Sequence, residues 1–502
     1  MQEDFTIRNK KREKIILLVL GTLIALGPFS IDMYLPSFDS IAKEFTTTKA
    51  QVGFSLTSYF IGISFGQLAY GPIMDKFGRK KPLLIGLVVY IVSAISCFYS
   101  PNLYWLIISR FFLAIGSSAG MVASKAVVRD IFPPQEVARA ISFLMLIMGG
   151  APIIAPTIGG IVITHFSWHI IFLILAVFAV LMFISVTKFL PESIEPDKTV
   201  DLKIGQVINK YKGILEDKIF LTFSFAGSLT IGAMFAYISN APSLFMDKFH
   251  LTESQFGWLF GMNAAGLIIG SQLNRLVLKR ATTFAVTLII GFILVALGVL
   301  FLINGYLIGN FYTTVILLFF ILFLLGFQNP NTTALSLFPF TKRAGRASAL
   351  VGSLKMIFGA IASFIISKFT GPSLIPLATI ILVSLTLSLL LLISVEVIGV
   401  LGKGATRWIR VFGLSIQPSE FVKITIILSL AKFYHDIKFE NIKKISYLFF
   451  PFLILGIPFI FVVIQPDLGT SLSILMLGVF ILFLAGIRLW KFILGFLVSV
   501  IS

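Results

Sequence analysis

Two ionisable residues lie inside long apolar runs of the sequence, where a charge needs a chemical explanation. Asp32 lies near the end of the run 15–36, and Arg110 lies about a third of the way into the run 103–124. An ionised side chain within a bilayer costs at least ~2.5 kcal/mol unless it finds partners. A buried acid can bind a proton on one side and release it on the other, so both residues are predicted to act in proton coupling.

Each of these residues also has a purely structural interpretation. Asp32 can end a helix at the membrane interface, since Pro36 follows closely. Arg110 can link helices by pairing with backbone carbonyl groups or with Asp32. The sequence leaves these alternatives open.

A short loop between two apolar runs combines an acid, glycines and a basic cluster. Glycine permits a tight backbone, the acid can pair with a base or a helix end, and the bases hold the loop at the cytoplasmic face. Charge pairs there are predicted to form an inner gate that holds an outward-open state and breaks when two halves rock. A solvated loop is the alternative. The residues are Gly71, Asp75, Gly78, Arg79 and Lys80, with Arg129 and Asp130 from a later run.

Small residues and prolines recur in the run 137–161. Small side chains permit close helix contact, and proline bends a helix. The pattern predicts a tight seal rather than a binding site. The residues are Gly150, Pro152, Pro156, Gly159 and Gly160.

Several polar and aromatic residues inside the apolar runs are candidates for a substrate cavity. An apolar pocket with a few hydrogen-bonding groups suits lipophilic ligands, although each residue also fits plain helix packing. Lys355 is the exception, because it either extends to the cytoplasmic face or faces the cavity, where it would favour anionic or neutral substrates. The other candidates are Tyr34, Tyr59, Gln67, Tyr237, Asn240, Asn263, Gln328 and Asn331.

The composition indicates a membrane protein. Hydrophobic residues make up 57% of the 502 residues and charged residues only 12%, against about 25% charged residues in soluble domains. The net charge is +18, but the bases lie at the ends of apolar runs. They therefore indicate contact with the lipid bilayer rather than with nucleic acid.

The apolar runs fall into two sets of six. Residues 1–190 form a predicted N-terminal six-helix half, 191–218 a charged cytoplasmic linker, and 219–395 a C-terminal six-helix half. Runs of about 20 apolar residues span a bilayer as helices, so the sequence predicts an all-α polytopic protein with 12 transmembrane helices. The distribution of Lys and Arg places the N-terminus in the cytoplasm.

Five motifs in this region resemble the major facilitator superfamily and, within it, the Bcr/CflA drug-resistance exporters. They are the loop 71–81, Ser30-Ile31-Asp32-Met33-Tyr34-Leu35-Pro36, Arg110, the run 149–160, and Ala344-Gly345-Arg346-Ala347-Ser348-Ala349-Leu350. The resemblance implies the major facilitator fold and multidrug efflux from the bacterial inner membrane by drug:proton antiport. It also implies lipophilic drug-like substrates, a monomeric transporter, no enzymatic activity and no cofactor. No Walker-type loop occurs in the sequence, so ATP-driven transport is not expected.

The last hundred residues resemble a different family. Gly402-Lys403-Gly404-Ala405-Thr406-Arg407-Trp408-Ile409, Gln417-Pro418-Ser419-Glu420 and Gln465-Pro466-Asp467-Leu468-Gly469-Thr470 are similar to motifs of the RodA/FtsW (SEDS) glycan polymerases. Residues 396–502 are predicted to be a partial RodA/FtsW-like segment with about three to four further helices, fused near 375–397. The catalytic aspartate of that family lies beyond the matching region, so a fragment without catalysis or a module that docks a cell-wall synthase is the alternative function.

Overall fold

The computed structural model of the protein is almost entirely helical. It describes residues 10–197, 202, 204–340, 344–369, 371, 373–397, 409–411, 414–416, 468–484 and isolated positions between 423 and 459. The first part contains seven α-helices and a 3-10 turn, Leu35–Ser37, after the first. The helices are α1 (Lys10–Asp32), α2 (Phe38–Glu44), α3 (Lys49–Phe77), α4 (Lys80–Phe98), α5 (Leu103–Ile131), α6 (Pro134–His165) and α7 (His169–Phe189).

The second part begins with a short helix within the predicted linker. Two π-helical turns, Ser243–Lys248 and Asn304–Ile308, follow the second and fourth of its helices. The helices are α8 (Ile204–Leu215), α9 (Lys218–Pro242), α10 (Glu253–Val277), α11 (Thr283–Ile303), α12 (Phe311–Leu337), α13 (Ala344–Ile366) and α14 (Ile375–Val397).

Side-chain caps fix where several of these helices begin. The Thr48 hydroxyl accepts a hydrogen bond from the backbone of Gln51, whose side chain accepts one from the backbone of Thr48. Asn102 accepts from the backbone N–H of Trp105 at 2.9 Å, and Asp217 accepts from that of Phe220 at 2.7 Å. Such caps satisfy N–H groups that have no partner within the helix.

Among the described residues, eleven helices are long and apolar enough to cross a membrane. The sequence predicted twelve spans, and α10, within the predicted C-terminal six-helix half, is also a helix of sufficient length. It does not count among the eleven because polar residues such as Asn263, Gln272 and Asn274 lower its hydropathy. The protein is therefore a multi-pass membrane protein with at least eleven candidate spans in its described part.

The chain divides into two compact units. One contains residues 1–277 and 286–392, and the other contains 278–285 and 393–502. The second unit has an antiparallel hairpin of β1 (Ile409–Val411) and β2 (Leu414–Ile416), and a helix, α15 (Leu468–Leu484). It also has a small apolar core built on Ile426, Leu430, Leu455, Ile474 and Leu482. The three to four further helices predicted beyond residue 396 fall mostly outside the described residues.

Within the first unit, two bundles meet through two helix pairs. Helix α1 packs on α5, α6 and α7, and α9 packs on α12 and α13. The two bundles contact each other where α3 packs on α13 and α6 packs on α10. The contact of α3 with α13 has one end near Arg79, Arg129 and Arg346, called here the basic face. The start of α3 lies near Lys49 and Asp247, called here the opposite face.

Candidate functional site

Arg110 lies completely buried in an aromatic cage inside the first bundle. Its Cζ atom lies 4.0 Å from the ring centre of Tyr34, 4.9 Å from that of Tyr59 and 5.9 Å from that of Phe172. Its Nη2 donates to the carbonyl of Ser30 at 3.1 Å, while Nε and Nη1 have no partner among the described residues. Cation–π attraction is strengthened by desolvation, so the cage offsets part of the cost of burying this charge.

The last residue of α1, Asp32, is also buried, with 3% of its surface exposed. In the described part of the chain its carboxylate forms no hydrogen bond and no ion pair, including none with Arg110. The turn Leu35–Ser37, which follows Asp32 closely in the chain, contacts α9 and α10 of the second bundle. An acid without a counter-charge therefore lies next to the place where the first bundle meets the second.

The predicted cavity residues are distributed over several environments. Tyr34 and Tyr59 belong to the cage of Arg110, and their hydroxyls hydrogen-bond Ser55 at 2.9 Å and Ser117 at 3.0 Å. In the second bundle, Asn263 donates to the Tyr237 hydroxyl at 2.9 Å.

Other predicted cavity residues take part in packing within the second bundle. Asn331 forms a reciprocal amide pair with Asn274, which joins α12 to α10 at 2.8 and 3.1 Å. Gln328 is buried, and within the described structure neither of its amide atoms has a partner. Asn240 is half-buried at the end of α9.

A cavity of about 370 Å³ lies at the basic face. The ends of α3 and α5, the start of α13 and Tyr211 of α8 form its wall. Of the residues predicted to contact a substrate, Gln67 belongs to this wall. The charged residues of the wall are Asp75, Arg79, Lys125, Arg129, Asp130 and Arg346.

The loop 78–79 lies at the edge of this cavity and is held by three acids. Arg79 donates to Asp75 at 2.7 Å and to Asp130 at 3.0 Å. Burial lowers the pKa of Arg79, but these hydrogen bonds and charges outweigh it and hold the pKa above its usual value. All these partners belong to the first bundle, so the pairs brace the loop within one half in this conformation.

Glu192 is the third of these acids. Its carboxylate accepts hydrogen bonds from the backbone N–H groups of Arg79 at 2.6 Å and of Lys80 at 3.2 Å, where α4 begins. Gly78 has a φ of 82°, and a Cβ there would lie 2.7 Å from this carboxylate. Only glycine combines that backbone conformation with so close an approach. Lys80 itself donates from Nζ to the carbonyl of Thr187 at 3.0 Å.

The small residues of α6 bring its backbone close to α10. A Cβ at Gly160 would lie 2.9 Å from the carbonyl of Glu253, and one at Gly257 would lie 2.6 Å from that of Pro156. Gly159 approaches the carbonyl of Met33 in the same way. Pro152 and Pro156 lie within α6, and Gly150 has open space beside it. The two bundles are thus in backbone contact along this pair.

An ion-pair network ties the bundles together at the opposite face. The Lys49 ammonium contacts Asp39 of α2 at 2.8 Å and also contacts Asp247 of the second bundle. Only 9% of the Lys49 side chain is exposed. Together with the contact between α6 and α10, this network joins the two bundles at the opposite face.

Replacing Lys49 by Gln is expected to open the opposite face. A half-buried ion pair contributes about 1 kcal/mol, so its loss shifts the ratio of closed to open molecules about fivefold. Spin labels on cysteines at positions 43 and 248 would report the opening as a longer distance by electron double resonance. Lys188→Gln, which removes an exposed lysine near the end of α7, is the matched control. Identical distance distributions in Lys49→Gln and the unmutated protein would contradict a latch.

Lys355 is held inside the bundle by α12. Its ammonium donates to the hydroxyl of Thr333 at 2.5 Å and to the side-chain oxygen of Asn329. A Cβ at Gly227 of α9 would lie 3.7 Å from the Cε atom of Lys355. The described contacts of Lys355 therefore lie within the second bundle.

Sequence reasoning did not select several residues that contribute to this region. Ser193 donates to Asp130 at 2.9 Å, and Tyr211 donates to the carbonyl of Leu68 at 3.2 Å. Burial raises the pKa of Tyr211 to about 12, with Arg346 acting in the opposite direction. Lys125 belongs to the wall of the cavity and lies near the end of α5.

A comparison with known families identifies the larger part of the chain. The family model of the Major Facilitator Superfamily matches residues 18–363. The chain belongs to this superfamily. A second family model, described as a cell cycle protein of the FtsW, RodA and SpoVE type, matches residues 312–502. The resemblances of both parts of the sequence are thereby confirmed.

Relatives of this major facilitator protein include an uncharacterized transporter and two drug-resistance proteins. The uncharacterized MFS-type transporter YdgK of Bacillus subtilis is 34% identical over 350 residues, which cover 69% of this chain and 86% of that protein. The bicyclomycin resistance protein homolog of Haemophilus influenzae is 30% identical over 378 residues, which cover 74% of this chain and 93% of that protein. The multidrug resistance protein D of Escherichia coli is 24% identical over 356 residues, which cover 71% of this chain and 89% of that protein.

Solved structures share the fold. The xylose transporter XylE of E. coli in a partially occluded inward open conformation matches with a TM-score of 0.60 and 13% identity, over 77% of this chain and 97% of that chain. A D-xylose-proton symporter matches with a TM-score of 0.58 and 15% identity, over 75% and 97%. At such identities the likeness establishes the architecture alone, which is that of the major facilitator fold.

Proposed function

We propose that the protein exports small lipophilic compounds in exchange for protons across the bacterial inner membrane. In this proposal α10 also crosses the membrane despite its polarity, which brings the number of spans to twelve. The N-terminus and the basic face are cytoplasmic. The concentration of Arg and Lys at the basic face supports this orientation. The transporter acts as a monomer and uses the proton gradient alone, without a cofactor. The names of its drug-resistance relatives support lipophilic drugs as substrates.

The buried, unpaired carboxylate of Asp32 is the observation that carries the proposal. Such a group favours its neutral form until water or a positive charge reaches it. The turn that follows Asp32, Leu35–Ser37, contacts α9 and α10 of the second bundle, so a relative movement of the bundles would change the surroundings of Asp32. A movement of that kind would couple the protonation of Asp32 to the direction in which the cavity opens.

The cycle follows from the conformation described above. With the opposite face closed, a compound enters the cavity from the basic face. Rocking then breaks the contacts of Lys49 with Asp247 and closes the basic face. The compound leaves and Asp32 takes up a proton from outside. The proton is released inside when water from the basic face reaches Asp32 during the return, so each exported molecule is exchanged for protons.

Uptake into everted inner-membrane vesicles tests the function. Vesicles that contain the full chain are energised with a proton gradient and supplied with a panel of lipophilic antibiotics that includes bicyclomycin. Accumulation above that of vesicles without the protein, and its loss on adding a protonophore, is the expected result. A panel in which no compound accumulates, although the protein is present in the membrane, would contradict the proposal.

The match over residues 312–502 favours a second role for the tail. We propose that this segment contacts a cell-wall synthase and does not itself polymerise glycan. The same vesicles, supplied with a lipid-linked glycan precursor, are expected to form no polymer.

A further inference from the structure

We propose that the cavity at the basic face contains a binding site for a phosphate group, formed by side chains of both bundles. The inference does not depend on the export function. It begins from three basic residues of the cavity wall, which are Lys125 and Arg129 of α5 and Arg346 of α13. The cavity volume of about 370 Å³ lies within the range of about 300–1,000 Å³ that is usual for ligand pockets.

The three residues meet where α5 of the first bundle approaches α13 of the second. Lys125 and Arg129 are four residues apart, so they lie one turn apart on the same face of α5. Arg129 reaches the second bundle, because a Cβ at Gly345 of α13 would lie 3.8 Å from its Nη1 atom. Arg346 follows directly in the first turn of α13. The basic end of α5 therefore lies against a basic helix start.

The acids of the cavity wall do not neutralise these three charges. Asp75 and Asp130 both pair with Arg79, at 2.7 and 3.0 Å. Within the described ranges of the chain, the three basic residues form neither a hydrogen bond nor an ion pair. Like charges that face each other across a cavity repel, and an anion between them replaces that repulsion with attraction.

The donors in this part of the wall match a phosphate group. Each guanidinium presents a planar fork of N–H groups that fits two phosphate oxygens, and the lysine adds a compact charge. Ser348 contributes a half-buried hydroxyl that forms no hydrogen bond in the described structure. The first-turn N–H groups of α13 have no partner within the helix. A phosphate group has more acceptor oxygens and more negative charge than a carboxylate, so it satisfies more of these donors.

The site joins the two bundles at their present separation. Lys125 and Arg129 move with the first bundle and Arg346 moves with the second, so rocking changes the gap that an anion would bridge. A bound phosphate group would therefore stabilise the conformation described here relative to a rocked one. The group can belong to a free phosphate or phosphate ester, or to an anionic lipid headgroup.

Isothermal titration calorimetry of inorganic phosphate with the purified full chain in phosphatidylcholine nanodiscs tests the site. Arg129→Gln and Arg346→Gln are each expected to weaken binding about tenfold, because each removes charge-assisted hydrogen bonds. Arg129→Lys keeps the charge but loses the planar fork, so its affinity should be intermediate. Arg275→Gln removes an exposed arginine of α10 outside the cavity wall and should leave the dissociation constant within about twofold.

Nanodiscs that also contain phosphatidylglycerol identify the source of the phosphate group. Phosphate binding that persists in them assigns the site to a free phosphate or phosphate ester. Loss of phosphate binding, with arginine-dependent retention of phosphatidylglycerol in native mass spectrometry, assigns it to a lipid headgroup. Neither Gln variant removes a described hydrogen bond or ion pair, and an unchanged unfolding temperature checks that both fold. The proposal is overturned if the unmutated protein binds neither phosphate nor phosphatidylglycerol, or if both Gln variants bind them as tightly.

Discussion

Replacing Asp32 by Asn is expected to reduce proton-driven export to the level of vesicles that lack the protein. Asparagine has the same size and can occupy the same buried position, but it cannot bind or release a proton near neutral pH. The carboxylate has no described partner, so the substitution breaks no contact. The loss would therefore be chemical rather than structural.

Two measurements together isolate this effect. Substrate-dependent proton release from energised vesicles should disappear, whereas exchange of labelled for unlabelled substrate across the membrane should persist, because exchange needs rocking but no net proton transfer. Asp217→Asn is the matched control, since it removes a carboxylate from the first turn of α9 and asparagine caps a helix equally well. Proton-driven export that survives Asp32→Asn would assign coupling to another group.

Replacing Arg110 by Met is expected to abolish export and at the same time raise thermal stability. Two of the guanidinium nitrogens are buried without partners in the described structure, and each unsatisfied group costs about 1–3 kcal/mol. Attraction to the rings of Tyr34 and Tyr59 returns about 2 kcal/mol. Methionine has a similar length and can contact the same rings without a desolvated charge.

The free energy of unfolding is accordingly expected to rise by about 1–2 kcal/mol in Arg110→Met. Thermal unfolding of the purified protein in detergent, followed by tryptophan fluorescence, measures the stability, and vesicle uptake measures export. Arg129→Met, at the exposed end of α5, should change stability by no more than about 0.5 kcal/mol. If Arg110→Met lowered both stability and export, Arg110 would be a structural residue, as the alternative interpretation of the sequence holds.

The motif loop illustrates how far reasoning from the sequence can reach. The acid, the glycines and the bases of residues 71–80 were recognisable from their order and from the apolar runs on either side. Glu192, which holds the same loop, lies more than a hundred residues away and has no local signal apart from its charge. Its role follows from the packing of α4 and the chain after α7, which the sequence alone does not specify.

The same distinction applies to the cavity candidates. A polar residue within an apolar run is visible in the sequence, but the direction in which it faces depends on the rotation of its helix. Tyr34 and Tyr59 face Arg110, whereas Asn331 faces Asn274 on α10, a neighbouring helix of the same bundle. A rotation of about 100° per residue separates these outcomes.

The membrane class, the helical architecture and the family could all be predicted from the sequence. Hydropathy and charge distribution can be read from short stretches of sequence. In lipid the backbone polar groups must hydrogen-bond within their own segment, so long apolar runs form helices. The tertiary structure was needed to show that Asp32 and Arg110 are buried without pairing with each other, and that Lys49 contacts residues of both bundles. These relations join residues tens to hundreds of positions apart, and they depend on how packed helices orient side chains toward one another.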